Sequence, residues 1–269
     1  MPMGMSREVA MRVEQNETDT YVARMIGLQE EPGNPQGIAI RRFGHATALM
    51  AAGRPGDDWF NRVMGLTDAD EDYLDAVAAW YRARDLSPRF DVVPFGASTS
   101  LLRRLTALGF ACDEFFAVLY ATPSADVPAA TPGIAVDEIS VDGLDAWVEL
   151  YLDSFGFGEA DRAAGRVAVR RQYAHPGFRH YVARLDGTPA AVGALYREHS
   201  VAGLAAAATI AAYRGRGCQM ALVRRRIRDA ALEGHDLIVA QVECGGVSAR
   251  NLERAGLHLA YTKGFWRAR

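Results

Sequence analysis

Lysine is almost missing from this 269-residue chain: Lys263 stands alone among thirty basic residues, and the rest are arginines. That bias follows the base composition of coding DNA. It does not mark a nucleic-acid partner, because the net charge is -3 and no basic excess is left to neutralise phosphates. Cysteine is nearly as scarce. Cys112, Cys218 and Cys244 are an odd, scattered set without CxxC spacing, which excludes a disulfide frame and a zinc site and predicts reduced thiols in a cytoplasmic protein. The six histidines form no HExxH or paired pattern, so no metal is expected. A charged-then-apolar leader is absent, and so is any run of about 18 apolar residues. The longest run of small apolar residues, 204–208, is far too short to span a membrane. The remaining numbers, 49% hydrophobic and 23% charged, are those of a globular protein with one large domain or two ordinary ones.

What is present is an internal echo. The Pro/Ala/Ser-rich stretch ATPSADVPAATPG (121–133) reads as a linker, giving domains at 1–122 and 134–269 joined by 123–133. At a constant shift of 147 positions, RFDVVPF (89–95) falls on DLIVAQV (236–242), both buried-strand patterns. LLRRLTALGF (101–110) falls on SARNLERAGL (248–257), a helix stopped near a glycine in each copy. EDYLDAVAAWYRARD (71–85) falls on CQMALVRRRIRDAAL (218–232), and NRVMGL on ATIAAY. No gap is needed, which reads as a duplication.

In the second half the patterns predict a strand at 134–139, helices at 144–152 and 162–173, and a hairpin of strands 180–185 and 190–196. A strand at 201–210, a helix to about 233, a strand at 236–242, a helix and a final strand near 258–266 complete it. The order β-α-α-β-β-β-α-β-α-β is an α/β fold, a mixed sheet with helices on both faces. The first half lacks the opening strand, which the shift would place before Met1.

Between strand and helix lies AAYRGRGCQ. A helix start has unpaired N–H groups and the positive end of the dipole, so it attracts anions. Gly215 and Gly217 clear the side chains that would block close approach, and Arg214 and Arg216 add charge suited to phosphate oxygens. The first half has Thr67, Asp68, Ala69 and Asp70 at the same register, which would repel a pyrophosphate. No lysine follows the glycines, as a P-loop requires, and no GxGxxG opens a dinucleotide unit.

TIAAYRGRGCQMAL resembles the acetyl-CoA motif of the GCN5-related N-acetyltransferase superfamily, V-x-P-x-x-R-G-x-G-x-G/A, and the element order is also similar to that family's. The resemblance covers the whole second half and implies a tandem member whose first half is a degenerate copy without the cofactor loop. Ala211 replaces the motif's proline and Gln219 its last glycine or alanine. In the next helix Gly245, Ser248 and Leu252 stand where the family often has Asn, Ser or Ala, and Tyr. Ser248 is kept and the tyrosine is not; Asn251 is nearby.

The resemblance implies a splay between strands 201–210 and 236–242 that takes the pantetheine arm of acetyl-CoA, a co-substrate. Backbone groups of Thr209, Ile210 and Ala211 would bond that arm, with one N–H polarising the thioester carbonyl. Arg214–Gly217, Cys218 and Gln219 would take the pyrophosphate, with Ser248 and Asn251 beside the cofactor. Glu243 is the candidate base for an incoming amine, with Glu198 and His199 as alternatives. Tyr261 is the candidate acid, and Cys244 offers a ping-pong route or is merely structural. Tyr151, Phe155 and Phe157 line an acceptor pocket or belong to the core. The expected activity is N-acetyl transfer to a small-molecule or peptide amine in a ternary complex; the alternative is an acyl-CoA-binding sensor without catalysis. Neither nucleic acid nor membrane is an expected partner, and oligomeric state stays open, a homodimer included.

Overall fold

A computed structural model describes residues 5–128 and 131–269, so two residues of the linker 123–133 lie outside the described residues. The elements run α1 (Arg7–Gln29), β1 (Ile38–Phe43), β2 (Ala46–Ala51), β3 (Arg62–Met64), α2 (Leu74–Arg82), β4 (Arg89–Val92), α3 (Thr99–Ala107) and β5 (Phe110–Ala121). After the linker come β6 (Ile134–Ile139), α4 (Leu144–Phe155), α5 (Glu159–Tyr173), β7 (Phe178–Leu185), β8 (Thr188–Glu198) and β9 (Val201–Thr209). The chain closes with α6 (Cys218–Leu232), β10 (Leu237–Glu243), α7 (Val247–Arg254) and β11 (His258–Ala268). The fold is mixed α/β, and the repeat survives in it. Adding 147 to the bounds of α3 gives 246–254, against Val247–Arg254 for α7; doing the same for β5 gives 257–268, against His258–Ala268.

The chain divides into two compact units. The C-terminal unit holds Leu119–Gln241 and Gly245–His258, with strands in the order β10-β9-β8-β7-β6. Pairing is antiparallel from β6 to β9 and parallel between β9 and β10. Its strands alternate apolar residues toward α4 and α6: Trp147, Val148 and Leu152 of α4, Leu222 and Val223 of α6, and Tyr181 and Leu195 of the strands are all buried. Trp147 donates its indole N–H to the Tyr181 carbonyl at 3.2 Å, which satisfies the one polar atom such a ring brings into a core.

The N-terminal unit holds Met5–Val118, and Val242–Cys244 and Leu259–Arg269 pack with it. Its strand order is β1-β2-β3-β4-β11-β5. The last strand therefore leaves the half whose sequence it ends and runs antiparallel to β4, with Phe265 opposite Asp91. The boundary drawn from composition assigns 134–269 to one domain, and residues 259–269 depart from it. The reason is the inward face of β11, where Tyr261, Lys263 and Phe265 are all buried. Lys263 Nζ pairs with Glu14 Oε2 at 2.6 Å and with Glu17. Burial opposes its charge, but the two carboxylates of α1 overcome that and hold its pKa above the ordinary lysine value. Arg62 bonds Glu17 at 3.0 Å and also Asp91, and Arg89 bonds Asp91 at 3.0 Å. These partners for β3, β4 and β11 come from the N-terminal unit alone.

Candidate functional site

The site is built where β9 ends. β9 and β10 pair over three residues only, from Val201↔Leu237 to Gly203↔Val239, so Leu204–Thr209 continue without a β10 partner. Their residues are half-buried, unlike the fully buried start of the strand. A 3₁₀ turn, Ala211–Tyr213, then delivers the chain to α6. Gly217 is the residue before that helix, with φ 92°, and no side chain caps it. The first helical bond is Ala221 N–H to the Gly217 carbonyl at 3.0 Å, which leaves the amides of Cys218, Gln219 and Met220 ahead of it. Both Gly215 (φ 76°) and Gly217 use the left-handed region that residues with a Cβ avoid.

Around this end the charges are positive. Arg214 and Arg216 are exposed; Arg214 Nε donates to the Thr209 carbonyl at 3.2 Å, and Arg216 lies 6.0 Å from the Tyr213 ring centre. An uncapped helix start, two φ-positive glycines and two solvent-facing guanidiniums fit the diphosphate of a nucleotide-type ligand. Cys218, the first residue of α6, is buried, and burial pushes its thiol pKa up.

Two of the backbone groups assigned to the pantetheine are already used. The Thr209 carbonyl holds Arg214, and Ile210 N–H donates to the Ala190 carbonyl at 3.0 Å. Ala211 is exposed. The strand edge clear of β10 lies earlier, at Leu204–Ala208. On α7, Asn251 joins Val247, Arg250, Glu253 and Arg254 around an open depression of about 630 Å³, and its side-chain oxygen accepts from Arg254. Ser248 is exposed on the same helix, and Leu252, at the position of the family's tyrosine, is buried.

Tyr151, Phe155 and Phe157 do come together. Tyr151 lies 4.3 Å from Phe155 and 6.4 Å from Phe157 between ring centres. The cluster runs on into the core, with Trp147 at 5.4 Å and Tyr173 at 5.7 Å from Tyr151. Only Phe155 is exposed; Tyr151 and Phe157 serve packing at least as much as any pocket.

The candidate acid needs correction. Tyr261 lies on β11 in the N-terminal unit, is buried, and donates its hydroxyl to Glu14 Oε1 at 2.6 Å. Burial and the Glu14 carboxylate both push its pKa further up, so the phenol keeps its proton and has spent it on Glu14. Glu243 ends β10 and is exposed, as is Cys244, and both go with the N-terminal unit as Tyr261 does. Glu198 ends β8 and His199 follows it in the turn before β9. That strand rises about 3.3 Å per residue, which puts them at the far end from the glycine loop.

Sequence reading missed Arg226. On α6 it falls within the apolar stripe Leu222, Val223, Ile227 and Ala230, and it is 1% exposed. A charge on the buried stripe of a helix was the available signal.

No family model and no curated protein sequence matches the chain. Solved structures do. A GCN5-related N-acetyltransferase from Kribbella flavida aligns at 16% identity over 92% of this chain and 95% of its own, with a TM-score of 0.63. A GCN5-related N-acetyltransferase from Sphaerobacter thermophilus aligns at 15% identity over 93% of this chain and 92% of its own, with a TM-score of 0.57. The chain has the fold of the GCN5-related N-acetyltransferases. It shares that fold almost end to end with a tandem GNAT protein from the clavulanic acid biosynthesis pathway: 12% identity, 99% of this chain, 96% of that one, TM-score 0.61. Among the described residues no helix is long and apolar enough to cross a membrane, and no His/Cys/Asp/Glu group could hold a metal ion.

Proposed function

We propose that the C-terminal unit binds an acyl-CoA, acetyl-CoA first among them, and transfers the acyl group to an amine by direct attack. One observation carries this reading: the uncapped start of α6 stands immediately after a strand that has parted from its neighbour. The first feature suits the diphosphate and the second the extended pantetheine arm, and the chain supplies them in that order. When bound, acyl-CoA brings the thioester. The protein's share is to hold it still: Gly215–Gln219 offer amides, Arg214 and Arg216 offer charge, and the open edge of β9 offers hydrogen bonds along an extended ligand. For taking the proton from the amine, Glu243 is the carboxylate to test; Tyr261, bonded to Glu14, is not proposed as the acid.

A second reading has one observation in its favour. With Tyr261 engaged and Leu252 buried, neither position offers a phenol to the departing thiol, as a protein that holds acyl-CoA without transferring it would allow. Calorimetry with acetyl-CoA on the wild type and an Arg214→Glu/Gly217→Glu variant comes first. Micromolar binding that the variant loses places the ligand at this loop. Thiol release from acetyl-CoA with a panel of amines then separates transferase from sensor, and a Glu243→Gln variant that releases thiol at the wild-type rate removes Glu243 as base. Absence of binding to the wild type overturns both readings.

A further inference from the structure

β9 bends at one point. Val192 pairs with Ala208 and Ala194 with Ala205, so the single residue Gly193 of β8 faces two residues of β9, Ala206 and Ala207. That is a β-bulge, which twists and re-aims the strand carrying it. Ala206 adopts φ 42°, in the left-handed region that costs a residue with a Cβ about 1–2 kcal/mol. Some contact must hold the strand there.

Arg226 supplies that contact from α6. Its Nη1 donates to the Ala194 carbonyl at 2.8 Å and to the Ala205 carbonyl at 3.1 Å, and its Nε to the Leu222 carbonyl at 3.0 Å. Ala194 and Ala205 are the pair that flanks the bulge, one on each strand. Among the described residues Arg226 has no carboxylate partner, although it is 1% exposed. Burial pulls its pKa down to about 10, which still leaves it charged at pH 7. A charge kept buried on carbonyls alone is expensive, and one planar donor that reaches two strands is something only arginine provides. Gly193 completes the fit, since a Cβ there would lie 3.1 Å from the Arg226 Cζ.

We propose that Arg226 is a positioning residue of the acyl-CoA site: by clamping the bulge at Ala206–Ala207 it aims the open edge of β9 at the pantetheine and thioester arm. The proposal rests on the acyl-CoA reading above and assigns the two halves of the ligand to different parts of the unit. Arg226 governs the arm, whereas the glycine loop governs the diphosphate.

Two ligands separate these contributions: coenzyme A, and 3′-phosphoadenosine 5′-diphosphate, which lacks the pantetheine. Calorimetry would be run on wild type, Arg226→Lys, Arg226→Met and Gly193→Ala, each checked by thermal melt. In Arg226→Met the Kd for coenzyme A is expected to rise about tenfold, the size of one or two lost hydrogen bonds, while the Kd for the fragment stays within about twofold. Arg226→Lys and Gly193→Ala, which keep the charge, should show the same split to a smaller degree. They decide the matter if Arg226→Met does not fold. A merely structural arginine would weaken both ligands together, or neither, and either result overturns the proposal while leaving the acyl-CoA site standing. If the wild type binds neither ligand, the acyl-CoA reading falls and takes this proposal with it.

Discussion

At one register of the internal repeat, this chain treats the start of a helix in two opposite ways. In the C-terminal unit, Arg214–Gly217 lead into α6 without a cap. In the N-terminal unit, the matching Thr67–Asp70 open a 3₁₀ turn, Asp68–Tyr73, that runs on into α2. There Asp70 is fully buried. Its carboxylate accepts from Thr67 N–H at 2.9 Å, Thr67 Oγ1 at 2.8 Å and His45 N–H at 2.7 Å. The two starts are three residues out of step, with Thr67 before the turn in one unit and Gly217, the counterpart of Asp70, before the helix in the other, and each has amides to satisfy. One half satisfies its own, the Asp70 carboxylate taking Thr67 N–H and the Gly96 carbonyl taking Asp68 N–H at 2.9 Å; the other leaves them open between arginines. In one unit the charge at the helix start is a carboxylate of the chain; in the other it is a pair of exposed arginines.

The comparison can be strained first where the N-terminal unit depends most on its own charges. Lys263→Met leaves the buried Glu14 without its cation, while Glu17 keeps Arg62, an expected loss of about 3–5 kcal/mol. Hydrogen exchange read by peptide should show protection falling across β2, β4 and α1 and holding across β7 and β8; equal loss in both units would contradict the assignment of this charge cluster to the N-terminal unit. Next in size, Asp70→Ala should cost about 3 kcal/mol, since three donors lose their acceptor. Arg216→Ala, on the other loop, should stay within about 0.5 kcal/mol. Urea unfolding of the two variants measures the contrast directly, and similar losses would mean that both loops are structural. Gly217→Ala is smaller again, about 1–2 kcal/mol by thermal melt, because φ 92° suits no residue with a Cβ.

The smallest effect concerns pH and belongs to the C-terminal unit. His180 is buried, with its ring 4.9 Å from Trp147 and Nε2 2.9 Å from the Tyr173 carbonyl. Burial lowers its pKa below the ordinary histidine value. The unfolded chain therefore takes up the proton first as pH falls. The stabilisation is complete above about pH 6.5 and declines below it, down to the depressed folded pKa. His180→Asn should flatten that part of the stability profile; an unchanged slope would assign it to other groups.

Much of this arrangement was legible beforehand. β6 falls at Ile134–Ile139 as the alternation predicts, and the glycine loop stands at the strand–helix junction that its residues require. Local periodicity finds such elements because each depends on near neighbours. The destination of β11 was not legible. Its strand pattern is the same whichever sheet receives it, and the deciding partners, Glu14 and Glu17, lie some 250 positions earlier. The same limit applies to Tyr261, which looked near the site in sequence and proved to be bonded to α1. Of the three consecutive arginines Arg224, Arg225 and Arg226, only helical phase distinguishes the one that enters the core, and the bulge it meets has no signature in a run of alanines.

The burial of Lys263 has a chemical consequence apart from stability. Its side chain is 0% exposed, held as an ammonium ion, and it is the chain's sole lysine. The surface charge is carried by guanidiniums, which do not take acyl groups from thioesters at neutral pH. The folded protein therefore offers reactive acyl donors no lysine side chain. Lysine acetylation of the native chain should be undetectable by mass spectrometry even in millimolar acetyl-CoA, and amine-reactive dyes should leave residue 263 unlabelled until the N-terminal unit opens. Labelling of that one position then reports, in a single mass shift, how often it does.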